Sequence, residues 1–213
     1  MRLRKVKNAL DKLKNDKKYF IENPLEHKGN WDKVFDNNNP IHIEIGCGKG
    51  KFISELAVLN PDINYIAIEK FDSVLLRTSE KVNDLDISNL KLALIDAAKL
   101  TDYFDDKEVS RIYINFSDPW PKNAHAKRRL TYKTFLDSYN RILKDDGAVY
   151  QKTDNRNLFE FSLESFNNNN WMISNISLDL HKDEEKYPNN IQTEFEEKWS
   201  KLGPIYRLEA RKK

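Results

Sequence analysis

The chain is poor in cysteine, poor in apolar residues and almost without net charge, and each shortage excludes a class of protein. A single cysteine, Cys47, leaves no disulfide framework and no cysteine-built zinc site, and it fits a reducing compartment. No apolar run approaches the ~20 residues that a membrane span requires. The basic start Met1-Arg2-Leu3-Arg4 is not followed by an apolar signal core, so a soluble, cytoplasmic protein is expected. Hydrophobic residues make up only 39% of the 213 positions and charged residues 33%, yet 11% aromatics and distinct apolar runs separate the chain from disordered sequences. The formal net charge of +2 rules out a wholesale polycation or polyanion.

That near-neutral total is a sum of unlike segments. Residues 2–18 hold Arg2, Arg4, Lys5, Lys7, Lys12, Lys14, Lys17 and Lys18 against Asp11 and Asp16, a net +6. Residues 122–133 add Lys122, Lys127, Arg128, Arg129 and Lys133 with no acid, a net +5, which leaves −9 for the remainder. Two basic segments on an acidic body point to an anionic polymer as partner. Residues 1–35 read as a basic N-terminal arm, in which Val6, Leu10 and Leu13 have helical spacing, and residues 36–213 as one folded domain.

From residue 40 the pattern alternates between short apolar runs and helix-length segments. Strands are expected at 41–45, 64–69, 90–95, 111–116, 148–152, 171–180 and 204–210, with helices between most of them. This predicts an α/β fold with a doubly wound, mostly parallel seven-stranded sheet, its last pair including an antiparallel edge. In such sheets ligands bind at the carboxyl ends of the strands. Five strands carry an acid there: Glu44, Glu69, Asp96, Asp118 and Asp154. A single one would be read as a cap or turn residue; five in register form a candidate site.

The loop after the first of these strands spells Glu44-Ile45-Gly46-Cys47-Gly48-Lys49-Gly50. A dinucleotide fingerprint would need glycine at position 51, where Lys51 stands. Carboxylates around a glycine loop suit a cationic, hydroxyl-rich ligand better than a pyrophosphate. Glu69 closes the second strand, where an acid holds ribose hydroxyls. S-adenosylmethionine has an adenosine, a carboxylate, an ammonium and a sulfonium, and it has no phosphate. Further on, Asn115-Phe116-Ser117-Asp118-Pro119-Trp120-Pro121-Lys122 forms a stiff turn, followed by His125 and Lys127-Arg128-Arg129. Aromatic and cationic groups beside a pocket suit unstacked bases and phosphates. Cys47, His27, His42 and His181 have the spacing of neither a nucleophile pair nor a metal site.

The segment from Asp118 to Arg129 resembles the signature of bacterial tRNA (guanine-N7)-methyltransferases. So do the glycine loop, Lys152-Thr153-Asp154-Asn155 and Thr193-Glu194-Phe195-Glu196, and the resemblance runs from about Pro40 to Arg211. It implies a class I, Rossmann-like methyltransferase that uses S-adenosylmethionine to methylate N7 of guanine 46 in the tRNA variable loop. It further implies cofactor contacts from Glu44, Gly46, Gly48, Gly50, Glu69, Asp96 and Asp118, with Asp118 also catalytic. Substrate contacts are implied for Lys122, Asp154, Thr193, Glu194, Phe195 and Glu196, with Asp154 and Glu196 as candidate acceptors at the guanine edge. RNA contacts are implied for Ala124, His125, Ala126, Lys127, Arg128 and Arg129. The family carries arginine where this chain has Ala124. A methyltransferase for another substrate and a non-enzymatic RNA-binding protein remain rival readings, and both monomer and homodimer remain open.

Overall fold

The first strands are buried end to end. Ile41–Ile45 (β2) and Asn64–Glu69 (β3) expose no residue appreciably, because helices cover both faces of the sheet. The computed structural model describes residues 5–213, so Arg2 and Arg4 of the basic arm lie outside the described residues. Among the described residues there are eight strands: β1 Phe20–Ile21, β2, β3, β4 Leu90–Leu94, β5 Val109–Asn115, β6 Leu143–Thr153, β7 Trp171–Ser177 and β8 Tyr206–Lys212. The α-helices are α1 Ala9–Asn15, α2 Trp31–Phe35, α3 Lys51–Leu59, α4 Asp72–Val82, α5 Leu100–Tyr103, α6 Lys133–Ile142, α7 Arg156–Asn168 and α8 Glu194–Trp199. They flank one sheet of order β1-β4-β3-β2-β5-β6-β8-β7. All neighbours pair in parallel except β8, which lies antiparallel between β6 and β7.

Side chains alternate across each strand, and the two faces separate into two cores. Ile43, Ile66, Ile68, Ile112, Ile114 and Val149 belong to one core, which also takes residues of α5, α6 and α7. Tyr65, Ala67, Leu90 and Leu92 belong to the other, with residues of α1, α3 and α4. All seven expected strands are found, with ends shifted by a few residues, together with the predicted antiparallel partner at the end. The eighth strand, β1, is a correction to the expected count. Two residues are too short to show any periodicity in sequence, and β1 exists only because Phe20 and Ile21 pair with Leu92 and Ala93.

The division at residue 35 does not correspond to a break in packing. Ala9, Leu13 and Tyr19 are buried in the α3/α4 core, and Trp31 is buried in the main one. The Trp31 ring stacks on Phe104, and its Nε1 donates to the Tyr103 carbonyl at 2.9 Å. Lys12 and Lys14 of the basic segment therefore lie on a helix whose opposite face is packed into the core. Among the described residues, no helix is long and apolar enough to cross a membrane. Trp31→Ala is expected to lower the unfolding free energy by about 3–5 kcal/mol in urea titrations; an appended arm would lose almost nothing.

Candidate functional site

Strand order reverses between β2 and β5, and this is where a doubly wound sheet opens a crevice at its carboxyl edge. The glycine loop leaves β2 at that point. The amides of Gly46 and Cys47 both donate to the Ile68 carbonyl of β3, at 2.8 and 3.1 Å, which folds the loop back over the strand ends. Gly50 starts α3 at φ 81°, where a Cβ would lie 2.4 Å from Thr78 Cγ2, so no other residue fits. A Cβ on Gly46 or Gly48 would meet only open space, so the loop presents bare backbone toward the crevice. Cys47 is buried against Thr78 with its thiol pKa pushed up by burial, and it is not a nucleophile.

Glu44 lies beneath this loop, 2% exposed. Its Oε1 accepts from Asn115 Nδ2 at 2.9 Å, a bond that joins β2 to β5 across the reversal. Its Oε2 is buried with no hydrogen-bond partner among the described residues. Burial pushes its pKa up to about 8. A buried acid with a spare oxygen below a bare glycine loop fits a cationic group on a bound ligand. Glu69, at the end of β3, accepts from the amides of Lys70 and Phe71 at 2.8 and 3.2 Å and is likewise pushed up by burial. Asp96 caps the short turn after β4 through the Ala98 amide and pairs with Lys70 at 2.7 Å, which holds its carboxyl below the usual range. Asp118 and Asp154 stand exposed in the loops after β5 and β6. The parallel strands thus bring all five acids to one edge.

The turn carrying Asp118 is strained. Phe116 and Trp120 occupy the left-handed region at φ 51° and 43°, an arrangement that costs bulky residues of order 1–3 kcal/mol each. Arg129 offsets that cost. It is 8% exposed, its Nε donates to the Pro119 carbonyl at 3.1 Å and its Nη2 to the Trp120 carbonyl at 3.0 Å, and its guanidinium sits 4.4 Å from the Phe161 ring. Arg129, expected at the RNA, thus turns its Nε and Nη2 inward to brace the turn. Arg128 lies over the Trp120 ring at 4.8 Å and His125 meets the same ring edge-on, so both are organised around the tryptophan. Lys122, Ala124 and Lys127 are exposed and Ala126 is half-buried.

The segment containing Thr193, Glu194, Phe195 and Glu196 crosses the same edge. Thr193 caps α8, its Oγ1 accepting from the Glu196 amide at 3.0 Å. Phe195 packs on Phe116 with ring centres 4.9 Å apart, and Glu194 pairs with Lys81 of α4 at 2.7 Å. Glu196 is a second residue turned inward. It is fully buried, bonded to Lys152 Nζ at 2.5 Å, to Asn190 Nδ2 at 2.8 Å and to His181 Nε2 at 3.1 Å, so in this arrangement its carboxylate faces the protein interior and not a guanine edge. His181, isolated in sequence, belongs to this cluster. Reading the residues one by one missed Asn115, Lys152 and the inward role of Arg129. The one available signal was the Thr-x-x-Glu spacing at 193–196, which spells a helix cap.

The charge segments also find their places. The Val6 amide donates to Ser73 Oγ at 3.0 Å, which sets the start of the arm against the first turn of α4, just beyond Glu69. Lys5 and Lys7 are exposed there, whereas Lys14 pairs with Glu22 and Lys18 with Asp86. The arm and the 122–128 cluster therefore flank the acid-lined edge from two sides.

Glu44 has a direct consequence for stability. An acid whose pKa rises on folding, here from 4.5 to about 8, favours folding fully below pH 4.5, and that contribution is lost as pH rises toward 8. Glu44→Gln keeps an acceptor for Asn115 but cannot ionise. Thermal melts of the ligand-free protein from pH 5 to 9 should show the variant gaining on the native chain with pH and exceeding it at pH 9.

Comparison with known proteins agrees with this geometry. A family model described as "Putative methyltransferase" (Methyltransf_4) matches residues 38–208. The chain is 53% identical over 212 residues to a tRNA (guanine-N(7)-)-methyltransferase of Streptococcus agalactiae, covering 99% of this chain and 100% of that one. It is 50% identical to the protein of the same name from Lactococcus lactis subsp. cremoris, covering 99% and 98%. Among solved structures, the 16S rRNA methyltransferase KamB superposes with a TM-score of 0.65 at 11% identity over 87% of this chain and 94% of that one, a likeness of fold. The covered length and identity leave one conclusion: the chain is a member of the tRNA (guanine-N7)-methyltransferase family, built on the class I methyltransferase fold.

Proposed function

We propose that this enzyme transfers a methyl group from S-adenosylmethionine to N7 of guanine 46 in the variable loop of tRNA. The observation that carries the reading is the pairing at the sheet reversal. A bare glycine loop over the spare Glu44 oxygen lies on one side, and the braced, cation-flanked Asp118 turn lies on the other. The names of the half-identical relatives support the base and the atom.

In this reading Glu44, Gly46, Gly48, Gly50, Glu69 and Asp96 hold the cofactor, with Glu69 at the ribose hydroxyls. Bound there, S-adenosylmethionine supplies an electrophilic methyl on a sulfonium. Guanine N7 carries a lone pair and no proton, so the protein needs no strong base and works by placing two reactants in line. Asp118 borders both ligands and stabilises the positive charge that develops on the guanine. Lys122, Asp154, Thr193 and Phe195 contact the base and its sugar-phosphate. Lys127 and Arg128, with Lys5 and Lys7 across the rim, take the phosphates.

Unmodified tRNA incubated with the purified enzyme and labelled cofactor should acquire 7-methylguanosine at position 46 alone. Label in protein or small-molecule fractions, or on another base, overturns the assignment. Asp118→Ala should fold normally and lose ~100-fold or more in kcat. tRNA affinity should fall steeply with salt, and Lys122→Ala or Lys127→Ala should each reduce the slope of log K against log salt by about 1.

A further inference from the structure

We propose that the buried pair Lys152–Glu196 is the positioning device that holds the segment 190–196 over the base to be methylated. This rests on the function proposed above. Neither side chain touches the substrate; both act through the residues they fix in place.

Lys152 stands next to the end of β6 and is 6% exposed. Its Nζ donates to Glu196 Oε2 at 2.5 Å, to the Ile191 carbonyl at 2.8 Å and to Asn190 Oδ1 at 3.3 Å. All three donors of the ammonium are thus spent on one stretch of chain. Glu196 Oε1 takes the remaining bonds, from Asn190 and His181. For Glu196 to reach a base it would have to abandon these partners and leave a buried lysine uncompensated, which is strongly unfavourable.

The same lysine also governs the opposite side of the site. Its main-chain carbonyl accepts from the Phe116 amide at 2.8 Å, at the residue that begins the strained turn leading to Asp118. The Phe116 ring packs on Phe195, one residue before Glu196. The circuit is closed: Lys152 main chain, Phe116, Phe195, Glu196, Lys152 side chain. Asp154 follows two residues on, just past the end of the strand. The exposed pairs of the segment, Lys81–Glu194 and Lys51–Glu197, reach α4 and α3 beside the glycine loop. Pairs of that kind fix position weakly because water competes for both partners. The buried pair, together with the Phe116–Phe195 packing and the bond from Lys51 Nζ to the Gln192 carbonyl at 3.1 Å, registers Thr193 and Phe195 against Asp118 and Asp154, and displacements near 1 Å are enough to cost about 100-fold in rate.

The test compares Glu196→Gln, Lys152→Met and the neutral double variant Lys152→Met/Glu196→Met, which removes both charges together and preserves a buried, foldable background. Each single variant should lose 30- to 100-fold in kcat on tRNA, with the calorimetric Kd for S-adenosylmethionine within about 3-fold of native. Tryptic cleavage between residues 179 and 201 should accelerate about 10-fold. The double variant should recover at least 10-fold of the lost activity. If it remains as inactive as Glu196→Gln and the protease pattern is native, Glu196 touches the substrate and the proposal fails. If cofactor affinity and melting temperature fall while kcat per folded molecule is unchanged, the pair is merely structural and the proposal also fails. A native enzyme inactive on tRNA would overturn the function assigned above, whereas the protease comparison still reports whether the pair holds the segment.

Discussion

The hydrogen bond from Asn115 to Glu44 spans the one place where the two halves of the sheet run away from each other. Everything at the carboxyl edge depends on that reversal. Helices bury both faces of the inner strands, so polar chemistry is confined to the strand ends and the loops that follow them. Only at the reversal do those loops diverge and leave room for a ligand. Glu44 sits inside that gap with one oxygen engaged and one spare, so the fold keeps a buried carboxyl group that it cannot satisfy alone. The desolvation that raises its pKa is the same property that makes a cationic ligand welcome there.

Much of this was legible in the sequence because its signals are local. β-Branched runs bounded by turn residues marked the strands, and the acids that follow them lay at the expected edge. The glycine loop with Lys51 at the excluded position already spoke against a dinucleotide. The parts that were not legible are those decided by partners distant in sequence. Arg129 sits in a run of cations and looks like its neighbours, yet the Pro119 and Trp120 carbonyls and the Phe161 ring take it inward. Glu196 reads as one more acid in an acidic helix until Lys152, 44 residues earlier, appears beneath it. Residues 1–35 read as an arm because their charges are conspicuous, while the burial of Leu13, Tyr19 and Trp31 depends on surfaces that no local pattern describes.

Two of these residues share a lesson about charge in binding sites. Arg129 and Glu196 both fall within motifs that contain surface groups, and both are buried with partners in the protein. A motif marks a segment that must be held in a particular shape, and some of its members do the holding. Lys122, Lys127, Asp118 and Asp154, in the neighbouring stretches of chain, are exposed.

The placement of β8 has a bearing on how the molecule is assembled. It follows β6 and β7 in the chain yet lies between them in the sheet. Until Tyr206–Lys212 arrives, β6 has an open edge of unpaired amides and carbonyls and β7 has no sheet to join. The segment 190–196 precedes β8 in the chain and lies between β7 and β8 in sequence, so the β6 edge closes only after that segment has been made.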